Sequence, residues 1–279
     1  MNTFIKNKLR EEATPLQEHT RSAAEDRRGG KPRWRRWLAF LITLVLLLGG
    51  CLWYVEAYYR ADEAAIAAFA TDRQVAERTL DSGALAFGTG DEALGLIFYP
   101  GGKVEHGAYA PLMRELAANG VFCVLCEMPL RLAVLDENAA DGVREAFPGV
   151  GRWYLGGHSL GGTAAASYLA DHAADYEGLV LLASYPTSDL SQTGLRALSI
   201  LGSEDGVLNQ RRYEAARAKL PADWEELVIS GGCHAYFGVY GPQCGDGTPT
   251  ISNAEQIRQT AAAILRWMQA VPASGALAA

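Results

Sequence analysis

An α/β fold, with a largely parallel sheet covered on both faces by helices and one transmembrane helix in front of it, is what three features of the 279-residue sequence predict. From about residue 80 onward, short apolar runs alternate with stretches of helical periodicity, the pattern of strands joined by helical crossovers. A run of 19 residues from Trp37 to Val55 contains no charge. The charge is also unevenly divided: residues 1–36 carry 10 Lys/Arg against 5 Asp/Glu, leaving 15 against 27 for the remainder. With 49% hydrophobic and 20% charged residues the chain is neither disordered nor fibrous. Its net charge of -7 argues against a nucleic-acid partner.

Residues 1–36 read as a basic cytoplasmic arm and residues 37–55 as a transmembrane helix. At the α-helical rise that run is about 28 Å long, close to the hydrocarbon core of a bilayer. Trp34 and Trp37 at one end, and Trp53, Tyr54, Tyr58 and Tyr59 at the other, suit the two headgroup regions. Six basic residues lie in the 15 positions before Trp37 and only Arg60 in the 15 after Val55. The positive-inside bias therefore predicts a cell-membrane protein with a cytoplasmic N-terminus and an extracytoplasmic body. A cleaved signal peptide fits less well, because 36 residues precede the apolar run. Leu48-Gly49-Gly50-Cys51 resembles the cleavage box of bacterial lipoproteins, but the apolar run continues past it to Val55.

Residues 56–82 are Ala-rich, with apolar positions at helical spacing, and predict a helical stem. The body follows at 83–271, with a flexible tail at 272–279. Strands are expected at 84–88, 94–99, 121–127, 152–157, 178–184, 196–201 and 225–230. Helices are expected at 107–119, 136–146, 160–172, 208–219 and 253–270.

The sharpest chemical signal is Gly157-His158-Ser159-Leu160-Gly161-Gly162, at a predicted strand-to-helix junction. A serine on so tight a turn needs small neighbours, because the helix passes close to the strand. Such a serine needs a base to take its proton and a carboxylate to fix the base's tautomer. Asp205 follows the strand at 196–201 and His234 follows the strand at 225–230, so both reach the carboxyl edge of the sheet beside Ser159. Glu204 is the competing acid, and His106, near the first βα turn, is a further candidate to line the site. Cys233 beside His234 raises a cysteine nucleophile as a rival, disfavoured because adjacent residues give poor attack geometry.

On the GHSLGG elbow and this Ser, Asp, His order, residues 84–270 resemble the α/β-hydrolase family. The resemblance implies a minimal α/β-hydrolase fold without a cap domain, since about 11 residues, Tyr185 to Leu195, separate the fifth and sixth strands of the body. It also implies an oxyanion hole made by the backbone N–H of Leu160 and of the first βα loop, at Gly102 with Lys103 next to it. More closely, YPGGKVEHGAYAPL, MPLRLAVL and GGCHAYFGVYGPQCGDGTPTIS resemble membrane-anchored, dienelactone-hydrolase-like bacterial proteins. That pattern usually has Asn before the histidine, Gln at Tyr236 and Lys at Cys244. Here Cys233 and Cys244 stand together, and a disulfide between them is expected to brace the histidine loop. Cys123 and Cys126 have CxxC spacing, but on one apolar strand they point to opposite faces, so no metal site is expected.

The expected activity is a serine hydrolase, carboxylesterase-like, that cleaves an ester or thioester through an acyl-enzyme without a cofactor. Its substrate is a small-molecule or envelope ester. An acyltransferase using the same intermediate, and a non-catalytic binding module on the same fold, are the alternatives.

Overall fold

The structure, a computed structural model, describes residues 33–69 and 74–270. The expected arm before Arg33 and the tail at 272–279 lie outside the described residues. The chain divides into two units, residues 1–56 and 57–279. In the first, helix α1 (Arg33–Glu56) is long and apolar enough to cross a membrane and buries none of its residues. It continues unbroken through Gly49, Gly50 and Cys51.

The second unit begins with an extended segment rather than a long helical stem. Tyr59 bridges to Val104, and its N–H and carbonyl bond Lys103 and Glu105. Helix α2 (Glu63–Ala68) is only six residues long, capped by the Asp62 carboxylate on the N–H of Ala65. Strand β1 (Glu77–Thr79) then pairs with β2 (Leu85–Phe87). The Ala-rich composition predicted helix here, but backbone pairing with the body overrides that weak preference.

The other strands are β3 (Leu94–Tyr99), β4 (Val121–Leu125), β5 (Arg152–His158), β6 (Gly178–Leu182), β7 (Arg196–Gly202) and β8 (Asp223–Ile229). They form an eight-stranded sheet in the order β1-β2-β4-β3-β5-β6-β7-β8. From β4 to β8 every pair is parallel, whereas β1–β2 and β2–β4 are antiparallel. Buried on both faces, β3, β4 and β6 are apolar along their length instead of alternating, and β7 is buried throughout with Arg196 and Ser199 among its residues.

Two separate apolar cores lie on the two faces. Helices α3 (Ala110–Ala118) and α7 (Asn253–Gln269) supply Leu112, Met113, Leu116, Ile257, Ile264 and Trp267 to one core. Helix α5 (Leu160–His172) supplies Ala164, Ala165, Ala166 and Leu169 to the other. Cys123 belongs to the first core and Cys126 to the second, as opposite faces require. The helix expected at 136–146 shrinks to α4 (Val143–Ala146), preceded by turns. The connection 183–195 contains no helix or strand, so no cap covers the sheet there. Helix α6 (Gln210–Ala216) follows β7.

The strand order reverses direction at β3 and β5, since β4 lies on one side and β6 on the other. Such a switch point opens a crevice at the carboxyl ends of the strands. The segments leaving β3 and β5 there are Pro100–Val104 and Ser159.

Candidate active site

Ser159 sits on the turn from β5 into α5 with φ 51° and ψ -120°, a conformation that non-glycine residues avoid. The turn is possible because of its glycines. A Cβ at Gly161 would lie 2.3 Å from the carbonyl oxygens of Tyr99 and Pro100, and one at Gly157 would lie 2.5 Å from the backbone of Gly161. Backbone bonds hold the strained residue: its N–H reaches the Leu182 carbonyl at 2.9 Å, and its carbonyl accepts from the Ser184 hydroxyl at 2.6 Å. The side chain is thereby fixed at the mouth of a cavity of about 210 Å³, lined also by Leu160, Thr163, Tyr185, Leu208 and His234.

Asp205 and His234 come from the loops after β7 and β8. Oδ2 of Asp205 is 2.8 Å from Nδ1 of His234, and both side chains are buried. Oδ1 of the same carboxylate accepts the N–H groups of Val207 and Leu208, each at 2.8 Å, which fixes its orientation. The carboxylate can only accept, so Nδ1 donates to it, and in a neutral imidazole Nε2 is then the acceptor. It is buried and has no hydrogen-bond partner among the described residues. No hydrogen bond joins it to the Ser159 hydroxyl, and bonds of that kind often tighten only with substrate bound. Glu204, the competing acid, is exposed and accepts from the Ser203 hydroxyl instead.

The oxyanion expectation is corrected at one position. Lys103 has φ 59°, and its N–H is bonded to the carbonyl of Arg131 at 2.7 Å, so it is already committed. Gly101 is also committed, its N–H donating to Tyr109 Oη at 3.0 Å. Gly102 lies against Leu160: a Cβ there would be 2.9 Å from Leu160 Cδ2. Leu160 is the first residue of α5, where the helix leaves N–H groups without an intrahelical acceptor.

The expected Cys233–Cys244 disulfide is absent, and both residues are free thiols. Cys233 is buried with its thiol on Asp246, whereas Cys244 is exposed. Burial, with the Asp246 carboxylate beside it, pushes the Cys233 thiol up to about 12, which removes it as a rival nucleophile.

Asp246 takes the bracing role, and the motif reading missed it. Its Oδ1 accepts from the N–H groups of Gly206, His234 and Gly247, at 3.1, 3.1 and 2.9 Å, and its Oδ2 from Ala235 at 2.8 Å. One carboxylate thus ties the acid loop to the histidine loop. Partial burial works to raise its pKa, but the N–H groups of Ala235, Gly206 and His234 outweigh that and hold it below the usual carboxylate value. The Gly245-Asp246-Gly247 turn was the available signal, inside a stretch already recognised as distinctive.

His158, the residue before the elbow serine, is a second position to which the sequence reading gave no role. Its ring is buried, 4.5 Å from the His234 ring, and its Nδ1 is 2.8 Å from Tyr109 Oη. Tyr109 Oη accepts from the Gly101 N–H and shares its other hydrogen bond with His158 Nδ1, the imidazole tautomer setting which of the two donates. Burial, with His234 adjacent, holds the His158 imidazole well below the ordinary histidine range, so it stays neutral. A neutral wall beside His234 allows the latter to take a proton without facing a second cation. His106 does not join this site; it lines a separate cavity of about 400 Å³ with Glu105, Glu127 and Arg131.

An elbow serine at a sheet switch point, facing an aspartate-supported histidine in one cavity, defines the hydrolase class of α/β proteins. The model of the alpha/beta hydrolase family matches residues 95–258, more than half of the chain, and the protein belongs to that family. The fold is similar to that of a predicted CIB-like hydrolase from Thermoplasma acidophilum, at 15% identity and a TM-score of 0.50, over 69% of this chain and 99% of that one. Est1E from Butyrivibrio proteoclasticus is similar at 13% identity and a TM-score of 0.49, over 70% of this chain and 99% of that one. A search of the curated proteins finds no match.

Proposed function

We propose that the chain is a membrane-anchored serine hydrolase that cleaves an ester or thioester through an acyl-enzyme, with Ser159, His234 and Asp205 as its triad. The observation that carries this reading is the Asp205–His234 pair, at 2.8 Å, delivered to the cavity that the strained Ser159 opens into. Ser159 Oγ attacks the carbonyl carbon while its proton passes to His234 Nε2, and Asp205 holds Nδ1–H and stabilises the imidazolium. The oxyanion is received by the N–H groups of Leu160 and Gly102, donors commonly worth about 3 kcal/mol each. His234 then protonates the leaving alcohol or thiol, and water repeats the sequence in reverse to release the acid.

Helix α1 supports the anchor, and the basic residues ahead of it support a cytoplasmic N-terminus with the hydrolase unit outside. The resemblance to membrane-anchored, dienelactone-hydrolase-like proteins agrees with this placement. The test is fluorophosphonate labelling of the detergent-solubilised chain with peptide mapping. Modification at Ser159 is expected, and Ser159→Ala should abolish labelling and lower ester turnover by roughly 10⁴ or more. Full turnover in that variant refutes the mechanism.

A further inference from the structure

Outside α1, large apolar side chains are exposed at four described positions, and three of them share one loop: Leu130 at 51%, Val134 at 47% and Leu135 at 55%. Isolated exposed leucines are ordinary, but three aliphatic side chains within six residues form a patch that water does not favour. The loop is built from two short turns, Pro129–Arg131 and Ala133–Leu135. Leu130 and Arg131 both have positive φ, at 50° and 59°, which L-residues with bulky side chains rarely adopt. This conformation is held in place: the Arg131 carbonyl accepts from Lys103, and the Arg131 guanidinium stacks 3.4 Å over the Tyr58 ring.

The apolar helix ends at Glu56, and Tyr59 is already bonded to Lys103 and Glu105. Only two residues intervene, a link that spans about 10 Å at full extension. A bilayer that holds residues 37–55 is therefore kept by chain length within reach of the loop that carries Leu130, Val134 and Leu135. The same carboxyl edge of the sheet carries Ser159, and the 129–135 loop meets the oxyanion loop through the Lys103–Arg131 bond.

We propose that the 129–135 loop is a membrane-contacting surface. It seats Leu130, Val134 and Leu135 in the headgroup region of the bilayer that anchors the chain, so that the serine site meets esters carried by membrane amphiphiles. The surface rests on the reading of residues 37–55 as a membrane span, and the substrate class rests on the serine-hydrolase reading. An aliphatic cluster of this size adds interfacial affinity in proportion to the apolar area it buries.

The full-length chain, reconstituted in phosphatidylcholine vesicles with or without doxyl-labelled lipid, tests it. An environment-sensitive fluorophore is placed in turn at Val134→Cys and at Asn119→Cys, each in a Cys51→Ala, Cys244→Ser background, and at native Cys51 in Cys244→Ser. Asn119 lies exposed at the opposite, amino edge of the sheet, between α3 and β4. The label at 134 should be blue-shifted and quenched by shallow doxyl lipid, that at 119 unaffected, and that at Cys51 quenched by deep doxyl lipid. A label at 134 that behaves like the one at 119 while Cys51 is quenched overturns the proposal. An unquenched Cys51 overturns it together with the anchor.

The second arm compares a vesicle-embedded long-chain ester with p-nitrophenyl acetate in water. Val134→Ser/Leu135→Ser should lower turnover of the first about tenfold and leave the second within about twofold. An equal effect on both overturns the substrate class. If the parent chain hydrolyses neither ester, the serine reading fails, while the quenching still decides the surface.

Discussion

Asp246→Asn separates bracing of the histidine loop from the chemistry itself. The substitution keeps the size and one oxygen acceptor but loses the charge and turns Oδ2 into an NH₂ group facing the Ala235 N–H. Hydrogen bonds to a charged group contribute about 1.5–3 kcal/mol each, and three of them cross between loops here, from Gly206, His234 and Ala235. Asp246 is only partly buried, so solvent recovers much of this, and a net loss of about 2 kcal/mol is expected. For a domain of this size that lowers Tm by roughly 4–8 °C at pH 7. Because the bond to the His234 N–H positions the imidazole, kcat on a soluble ester should fall about tenfold to a hundredfold with little change in KM.

The pH dependence gives an internal control. The folded pKa of Asp246 is depressed, so its contribution to stability is complete above the ordinary carboxylate range and is lost as pH falls through the folded value. The gap between parent and variant should therefore close on acidification, as the parent's own carboxylate becomes protonated. Thermal unfolding of the detergent-solubilised chain from pH 7 downward, paired with steady-state kinetics, measures both effects. A Tm difference that is absent at pH 7, or that widens in acid, would refute the clamp.

Tyr109→Phe removes the hydroxyl shared by Gly101 and His158, leaving a buried N–H without its acceptor; a loss of about 1–3 kcal/mol in chemical denaturation is expected, and none would exclude the network. Gly161→Ala drives a Cβ to 2.3 Å from two backbone carbonyls, so folding should be lost or weakened by more than about 3 kcal/mol, whereas an unperturbed variant would contradict the elbow packing. Thiol titration of the native chain in detergent should modify Cys244 rapidly and the buried Cys123, Cys126 and Cys233 only on unfolding. Cys244→Ser should leave Tm unchanged, and a mobility shift on reduction would restore the disulfide.

The α/β class, five of the helices and every strand but β1 were legible in the sequence because their signals are local. Continuous apolar runs mark strands buried on both faces, and the crowded turn at Ser159 demands the glycines around it. That Asp205 and His234 reach the same edge of the sheet was legible for the same reason, each lying directly after a strand. Residues 56–82 misled the reading because Ala-rich composition is a weak preference, and the pairing of Tyr59 with Val104 and of β1 with β2 outweighs it.

What only tertiary structure decided is where groups distant in sequence meet. The N–H of Lys103 is diverted to Arg131, Asp246 gathers the loops of Asp205 and His234, and His158 packs on the His234 ring. The Cys233–Cys244 pairing was inferred from their closeness along the chain, but a disulfide depends on the direction of two side chains, and one of these is turned inward to Asp246 while the other faces solvent. Local sequence specifies which backbone shape a segment prefers; the direction in which its polar groups point is settled only when the neighbouring loops have closed around them.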